Sequence, residues 1–338
     1  MKIILDAMSG DNAPLEILRG AALAMGEYPE IDIILVGDRE NLLSVARNNA
    51  IDLSAMEIRA SSSVISMEDA PLSVIHEKKD SSMGVGLKML ANDEGDAFVS
   101  AGNTGALLAG ASLIVRRLKG IARPGIGAIL PLSNPVLLLD SGANISVTEE
   151  NLEMFAVMGS VYMNKIYGIE RPRVGQVNNG AEPSKGLPLQ IAAYERLSKN
   201  DSINFVGNVE GKDIPFNACD VLVADGFTGN VVLKLAEGMG KMMLQTMKDL
   251  FYANALTMLS ASLMKTRLND LKHRFDSSEH GGAPILGIRK PVIKAHGGSD
   301  ATAIKNAIFQ AVGFVKDDIN GEIEKVSLAI AEKKKANQ

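Results

Sequence analysis

The stretch Ser100-Ala101-Gly102-Asn103-Thr104-Gly105-Ala106 decides the fold, because it joins an apolar run of strand length to a segment of helical period. The run before it is Ala97 to Ser100, and the helical segment is Thr104 to Leu118. A strand that ends in small polar residues and then starts a helix presents free backbone N–H groups beside a helix N-terminus. This arrangement favours a phosphate or another oxyanion as the ligand.

Three further loops carry the same chemistry, each after a short apolar run. They are Asp6-Ala7-Met8-Ser9-Gly10-Asp11, Asp225-Gly226-Phe227-Thr228-Gly229-Asn230 and His296-Gly297-Gly298-Ser299-Asp300. Ligands of open α/β sheets bind beyond the carboxyl ends of the strands. The repetition therefore predicts that the loops form one site, and it favours an enzyme that handles anions.

Apolar runs of strand length alternate with helical segments along the chain, which predicts an α/β fold with a largely parallel sheet. The predicted strands are Ile3 to Leu5, Ile31 to Val36, Ala97 to Ser100, Ile126 to Leu130, Val136 to Leu139, Arg173 to Val177, Ile203 to Val206, Val221 to Ala224 and Pro291 to Ala295. The predicted helices include Pro14 to Glu27, Thr104 to Leu118, Thr148 to Tyr167 and Asp300 to Val315. The short connection after Leu130 allows an antiparallel pair with the strand at Val136.

Length and composition narrow the classes of function. A chain of 338 residues exceeds the usual size of a single core, and without a linker we expect one two-lobed α/β/α unit over 1–338 with a central cleft. The net charge of −5 argues against broad nucleic-acid binding. The single cysteine, Cys219, excludes an intramolecular disulfide and fits a reducing cytoplasm. We expect it to be a packing residue; the alternative is a catalytic thiol.

The segment 237–275 is rich in methionine and predicts an amphipathic helical hairpin. Its first helix carries apolar residues at helical spacing, namely Met239, Met242, Met243, Met247, Leu250 and Phe251. Its apolar tip contains Leu256, Met258, Leu259 and Leu263, and basic residues follow at Lys265, Arg267, Lys272 and Arg274. Two interpretations stay open: a projecting hairpin that contacts a membrane, or a helix pair that packs on the core or on a second subunit.

The ordered motifs resemble those of the phosphate acyltransferase (PlsX) family of bacterial phospholipid synthesis, from the first residue to about Val315. The motifs are the loops at Asp6, Ser100 and Asp225 together with Arg171-Pro172-Arg173-Val174-Gly175, Gly281-Gly282-Ala283-Pro284 and Lys294-Ala295-His296-Gly297. Three positions depart from the family pattern. Ser9 replaces a glycine, Gly298 replaces a serine, and the stretch Val177 to Glu182 is looser.

The resemblance implies transfer of a fatty acyl group from acyl carrier protein (ACP) to inorganic phosphate. The acyl phosphate product would serve a downstream glycerol-phosphate acyltransferase. It also implies an isocitrate/isopropylmalate dehydrogenase-like α/β/α fold, a homodimer, and a cytoplasmic protein peripherally associated with the inner face of the plasma membrane. We expect no metal or other cofactor, because no carboxylate pair or histidine cluster has the spacing of metal ligands.

Acyl transfer to phosphate needs no enzyme nucleophile, because phosphate itself attacks. The enzyme must orient the reactants and stabilise the oxyanion that develops. The candidate catalytic residues are Lys185, His296, Asn230 and Asp225. The candidate substrate-binding residues are Asp6, Gly10, Asn12, Ser100, Gly102, Asn103, Thr104, Gly105, Thr228, Gly229, Lys294 and Gly297. The candidate membrane residues are Leu256, Met258, Leu259 and Leu263.

Structural roles compete with these assignments. The asparagines and threonines can be helix caps, Lys185 can be a solvated lysine and His296 a buried structural histidine. A basic cluster predicts an ACP docking patch, although cations at a helix end also complement the helix dipole. The cluster consists of Arg116, Arg117, Lys119 and Arg123.

Three other functions remain open. The first is a phosphotransacetylase-like acyltransferase that uses acyl-CoA. The second is a nicotinamide-dependent dehydrogenase, which is disfavoured because no Gly-x-Gly-x-x-Gly follows a strand. The third is a non-catalytic, membrane-bound scaffold for ACP.

Overall fold

Two β-sheets organise the chain in the computed structural model, which describes residues 1–254, 257–258, 260, 263–264, 266–268 and 281–336. Within these ranges the first sheet has seven strands in the order β3-β2-β1-β4-β12-β11-β5. Its strands are β1 (Lys2–Asp6), β2 (Asp32–Gly37), β3 (Glu57–Ala60), β4 (Ala97–Ser100), β5 (Gly125–Ile126), β11 (Ala283–Leu286) and β12 (Val292–Lys294).

The second sheet has five strands among the described residues, in the order β6-β7-β10-β8-β9. They are β6 (Ala128–Leu130), β7 (Val136–Leu139), β8 (Arg173–Asn178), β9 (Asn204–Glu210) and β10 (Val221–Val223). The helices are α1 (Leu15–Glu27), α2 (Arg39–Asn48), α3 (Ser82–Ala91), α4 (Thr104–Gly110), α5 (Glu149–Tyr167), α6 (Pro188–Ser198), α7 (Gly226–Phe251), α8 (Ala301–Lys316) and α9 (Ile319–Ala336). None of the described helices has the length and apolarity needed to cross a bilayer.

Parallel pairing brings the chemically important strand ends to common edges. In the first sheet β1 and β12 both run parallel to β4, with Ser100 opposite Lys294. In the second sheet β7 and β8 both run parallel to β10, with Leu139 opposite Val223. The carboxyl ends of β1, β4 and β12 therefore meet at one edge, and those of β7, β8 and β10 meet at another.

The core explains why the central strands are continuously apolar. Ile3, Ile4 and Leu5 of β1 are at most 1% exposed, as expected for a parallel strand covered by helices on both faces. Helix α1 packs closely on α8, since a Cβ added at Gly20 would lie 2.6 Å from the Cβ of Ile304. This close packing fixes the N-termini of both helices beside the strand ends of the first sheet.

Several predicted elements need correction. The run Ile126 to Leu130 is not one strand: it divides at Gly127 into β5, which pairs with β11, and β6, which pairs antiparallel with β7. The antiparallel pairing of Val136 to Leu139 is thus confirmed for β6. The helix predicted from Thr104 ends as an α-helix at Gly110 and continues as a π-helix over Ala111–Arg116.

The predicted hairpin also begins elsewhere. Its first helix is the end of α7, which spans 26 residues and starts at Gly226 rather than at 237. Of the four predicted membrane residues, Met258 and Leu263 are described and are 49% and 84% exposed. Leu256 and Leu259 lie outside the described residues, as do Lys265, Lys272 and Arg274. The hairpin and its membrane contact stay predictions.

Candidate active site

A buried carboxylate lies where β1 and β4 end. Asp6 is 1% exposed and accepts a hydrogen bond of 2.7 Å from the Oγ of Ser100. Burial raises the pKa of Asp6, and the hydrogen bond from Ser100 opposes that rise. Asp6 and Ser100, both predicted to bind substrate, are thus hydrogen-bonded to each other. This bond gives them a structural function at the edge where β1 and β4 end.

Lys294 is the last residue of β12 and lies beside this pair. Its Nζ donates to the carbonyl of Ala101 at 3.4 Å and also to the carbonyl of Ala295. Burial lowers the pKa of Lys294 to about 8; Asp11 and Asp6 oppose the change, and Lys234 adds to it. A partly buried cation is therefore held at the edge where three strands end.

Glycines allow the loops to approach each other closely. Gly10 has a φ of +111°, and a Cβ there would lie 2.9 Å from the Cβ of Ala101 and 3.2 Å from the carbonyl oxygen of Gly297. A Cβ at Gly102 would lie 2.8 Å from the Cβ of Ser9. The loops after β1, β4 and β12 are thus in direct contact, so three of the four motifs come together at this edge. The fourth, which begins at Asp225, follows β10 of the second sheet.

Asn12 joins the first loop to the last. Its side-chain amide donates to the carbonyls of Gly298 and Ser299, both at 3.3 Å. The backbone N–H of Asp11 donates to the carbonyl of Gly297 at 2.8 Å. The Asn12 amide, predicted to bind substrate, is therefore engaged in fixing the loop that carries His296.

His296 lies exposed at the rim of this cluster. The N–H of Gly298 donates to its Nδ1 at 3.1 Å, so the neutral ring carries its proton on Nε2. Partial burial of the ring lowers the pKa of His296, Lys234 lowers it further, and Glu237 opposes the shift. At neutral pH the ring therefore offers an N–H donor rather than a charge.

The first turn of α7 carries the candidates from the second sheet. Asp225 caps the helix: its Oδ1 accepts from the N–H of Thr228 at 2.9 Å, and its Oδ2 accepts from the Thr228 hydroxyl at 2.7 Å. The amide of Asn230 donates to the carbonyl of Ser141 at 3.2 Å. Gly229 allows close contact, because a Cβ there would lie 1.9 Å from the carbonyl oxygen of Asp140. Asp225 is therefore the N-cap of α7, and Thr228, at the third helical position, is the residue that donates to it rather than a cap.

Sequence reasoning missed Asp140, which organises the loop under this turn. Its fully buried carboxylate accepts from the N–H groups of Ile126, Gly142, Ala143 and Asn144 at 2.6–3.2 Å. The carbonyl of Asn144 in turn accepts from the N–H of Gly226 at 2.7 Å. The sequence pattern could have indicated Asp140, because Asp140-Ser141-Gly142-Ala143-Asn144 follows an apolar strand as the other motifs do.

Asn103 is a helix cap, which is the structural alternative that the sequence analysis left open for it. Its Oδ1 caps α4 by accepting from the N–H of Ala106 at 3.0 Å. Its Nδ2 donates to the carbonyls of Ser66, Met67 and Asp69, each at 3.1 Å. The polar atoms of this side chain are thus used within the protein, and phosphate binding by the Asn103 amide is not what the structure supports.

The remaining candidates lie at the surface. Thr104 is the exposed first residue of α4, and Gly105 after it packs against Pro71, whose Cγ would be 3.0 Å from an added Cβ. Lys185 is exposed in the loop after β8. Its carbonyl accepts from the Asn178 amide at 3.0 Å, which fixes the loop but leaves the role of the amino group a prediction.

Sequence reasoning also missed Lys234, which lies on α7 two turns after the candidate residues of its first turn. Lys234 forms an ion pair of 2.9 Å with Glu237 one turn later. The charge of Lys234 lowers the pKa of both Lys294 and His296. Lys234 and Lys294 thus repel each other electrostatically, and such a combination of cations suits an anionic ligand.

Comparison with known proteins places the chain in a family. Residues 1–322 match the sequence profile of a family described as "Fatty acid synthesis protein". The phosphate acyltransferase of Thermoanaerobacter pseudethanolicus is 47% identical over 96% of this chain and 96% of that protein. The chain belongs to this family. The phosphate acyltransferase of Clostridioides difficile, another relative, is 43% identical over 96% of this chain and 97% of that protein.

Solved structures with a similar fold include phosphotransacylases. A phosphotransacetylase from Streptococcus pyogenes has a TM-score of 0.64 at 17% identity, and covers 94% of both chains. A branched-chain phosphotransacylase from Enterococcus faecalis has a TM-score of 0.57 at 14% identity, over 93% of this chain and 99% of that one. These likenesses concern the fold alone. The fold of this chain is therefore phosphotransacylase-like. The dehydrogenase-like classification stays a prediction.

Proposed function

We propose that this chain transfers a fatty acyl group from ACP to inorganic phosphate, at the strand ends that carry Lys294 and His296. As a member of the phosphate acyltransferase family it is an acyltransferase, with phosphate as acceptor. The observation that carries the proposal is Lys294, a partly buried cation surrounded by loops that only glycines can bring so close. A cation held out of water at such a place favours an anionic substrate.

In the proposed reaction, a phosphate oxygen attacks the carbonyl carbon of the acyl thioester. Lys294 and Lys234 hold the phosphate near this carbon, and proximity of this kind lowers barriers by up to about 7–11 kcal/mol. The C–O bond forms, the carbonyl π electrons move to the oxygen, and the tetrahedral intermediate collapses with loss of the thiolate. A thiolate whose conjugate acid has a pKa of about 8.5 leaves readily, so no enzyme nucleophile takes part.

The oxyanion of that intermediate needs hydrogen-bond donors. The Nε2–H of neutral His296 is one, and the N–H groups of the glycine-rich loops are others; each well-placed donor stabilises such an intermediate by about 3 kcal/mol. The roles of Lys185 and Asn230 as further donors stay part of the proposal. Asp225, whose carboxylate accepts hydrogen bonds from Thr228, acts by stabilising the first turn of α7.

The partners of the chain belong to the same proposal. Helix α7 exposes an apolar stripe at Phe227, Val231, Leu235 and Met239, each more than half exposed, which supports pairing with a second copy. Exposed Met258 and Leu263 support contact with the inner face of the plasma membrane. The exposed side chains of Arg116, Arg117, Lys119 and Arg123 support docking of the acidic ACP.

The fold favours one second candidate, an acyltransferase that uses acyl-CoA, because the similar structures include phosphotransacetylases. Both candidates share phosphate attack on a thioester and differ in the carrier of the acyl group. The test incubates purified protein with palmitoyl-ACP or palmitoyl-CoA, with and without phosphate, and traps acyl phosphate with hydroxylamine. We expect phosphate-dependent product from palmitoyl-ACP, unchanged by a chelator. Efficient turnover of palmitoyl-CoA alone would favour the second candidate, and absence of phosphate dependence would refute both.

A further inference from the structure

Residues 61–70, here called the wall loop, lie between β3 and the short 3₁₀ helix Pro71–Val74 and border the proposed site. Asn103 fixes this loop through the three carbonyls at residues 66, 67 and 69. Lys78 fixes it a second time, because its Nζ donates to Asp69 at 2.6 Å and to the carbonyl of Val64 at 3.1 Å. The backbone of the wall loop is therefore held in one position relative to α4.

Met67 is the residue of the wall loop that contacts the site. A Cβ added at Gly297 would lie 3.3 Å from the Cε of Met67 and 3.5 Å from the Oδ2 of Asp11. The methyl group of Met67 thus packs on the loop that joins Lys294 to Asp300. Even so, 52% of Met67 is exposed. A fixed backbone holds an apolar side chain at the edge of a polar cluster, where half of its surface stays in contact with water.

The chemistry of the Met67 side chain determines which part of the substrate it can contact. A thioether and a methyl group offer no donor and no charge, so Met67 does not bind phosphate. Methionine is unbranched and polarisable and adapts to flexible apolar ligands. The carbonyl carbon of the thioester must lie near Lys294 and His296, and the first methylenes of a fatty chain extend from that carbon. Met67 is the apolar surface next to this position.

We propose that Met67 is a specificity-determining residue that packs against the first methylenes of the fatty acyl chain. This inference rests on the proposed function, since it assumes that a fatty thioester reacts beside Gly297. It adds a prediction of its own: Met67 distinguishes long acyl groups from acetyl groups and has no effect on phosphate. Asn103 is then a positioning residue, which acts on the acyl chain through the wall loop.

The test compares Met67→Gln with the wild type, using acetyl-, octanoyl- and palmitoyl-ACP at saturating phosphate. Glutamine keeps the length of the side chain and removes its apolar end. Because one or two lost apolar contacts change discrimination by about tenfold, kcat/KM for palmitoyl-ACP should fall about tenfold, and that for acetyl-ACP less than about threefold. The KM for phosphate should stay within about twofold. Met67→Leu restores the apolar contact and should restore the preference for the long chain.

Leu23→Gln is the matched control. Leu23 is 46% exposed and lies in the second half of α1, about 12 Å along the helix from its first residue. We expect the same chain-length profile as in the wild type.

Equal loss in kcat/KM for acetyl and palmitoyl donors in Met67→Gln would overturn the inference, because the contact would then be with the carrier or its arm. A raised KM for phosphate would overturn it as well. A wild-type protein that makes no acyl phosphate would instead refute the proposed function, so the two failures are distinguishable. Circular dichroism and the urea midpoint of each variant show whether a loss comes from unfolding.

Discussion

Replacing Lys294 by methionine is expected to stabilise the fold and to abolish phosphate-dependent activity. Burial lowers the pKa of Lys294 from 10.5 to about 8. At about 1.4 kcal/mol per unit, keeping this lysine charged costs the folded state about 3 kcal/mol at neutral pH. Methionine removes the charge but also the two hydrogen bonds to the carbonyls of Ala101 and Ala295, which contribute about 1 kcal/mol each. The free energy of unfolding should therefore rise by about 1 kcal/mol.

The pH dependence of this stability difference shows whether the charge of Lys294 causes it. Below pH 8 the lysine is charged in both states, and the full cost applies. Between pH 8 and 10.5 the folded lysine is largely neutral while the unfolded one keeps its proton. The unfolded state then binds more protons, so the stability of the wild type rises with pH through this window. The advantage of Lys294→Met should be largest near pH 7 and should shrink from pH 8 upward, as measured by urea unfolding at both ends of the range.

Activity should change in the opposite direction. Loss of a cation that faces the phosphate typically removes about 3 kcal/mol of stabilisation, so kcat/KM for phosphate should fall by at least about a hundredfold. Lys290→Met is the control, because Lys290 forms an ion pair of 2.5 Å with exposed Asp93, and such pairs contribute less than about 1 kcal/mol. A variant at position 294 that is less stable than wild type at pH 7, or that keeps the wild-type KM for phosphate, would refute this reasoning.

Three further predictions concern other parts of the molecule. Cys219→Ser should keep more than about a tenth of the activity, because Cys219 is buried with its pKa raised to about 12 and a swap of this kind affects mainly stability; an acyl group trapped on Cys219 in a quenched reaction would contradict this. Arg116→Glu with Arg117→Glu should raise the KM for acyl-ACP and flatten its dependence on salt, while kcat changes less; a KM that stays constant would place the ACP contact elsewhere. Met258→Glu with Leu263→Glu should abolish co-sedimentation with anionic liposomes and leave solution activity intact, and dissociation of a dimer into monomers would instead show that these side chains are structural.

The local part of the site could be predicted from sequence, because small polar residues after an apolar run are a local signal. Ser100 and Lys294 were expected at the same edge, and the parallel register of β4 and β12 places them opposite each other. The partners of a side chain are a different matter. Asn103 reaches carbonyls 34 to 37 positions earlier in the chain, and no periodicity encodes that contact. The same limit applies to Lys234, whose electrostatic effect on His296, 62 residues later in the chain, depends on the tertiary placement of α7.

Gly127 shows a second limit of prediction from sequence, which concerns the sheet that a residue joins. The run Ile126 to Leu130 is uniformly apolar, so its pattern favours one strand. The N–H of Gly127 instead donates to the carbonyl of Pro284 at 2.9 Å, between a residue that pairs in the first sheet and one that pairs in the second. Which sheet an apolar residue joins depends on the partner strand, and β11 lies more than 150 residues later in the chain.

Aspartates at the strand ends raise a physical problem for a phosphate site, because fixed negative charges repel the substrate. The structure offsets this repulsion at three of them by engaging their carboxylates within the protein. Asp140 accepts from the N–H groups of its own loop, and Asp225 accepts from Thr228. Asp6 accepts from the hydroxyl of Ser100, and burial raises its pKa. In the proposed site, Lys294 then supplies the positive charge for phosphate, and these three aspartates contribute by shaping the loops.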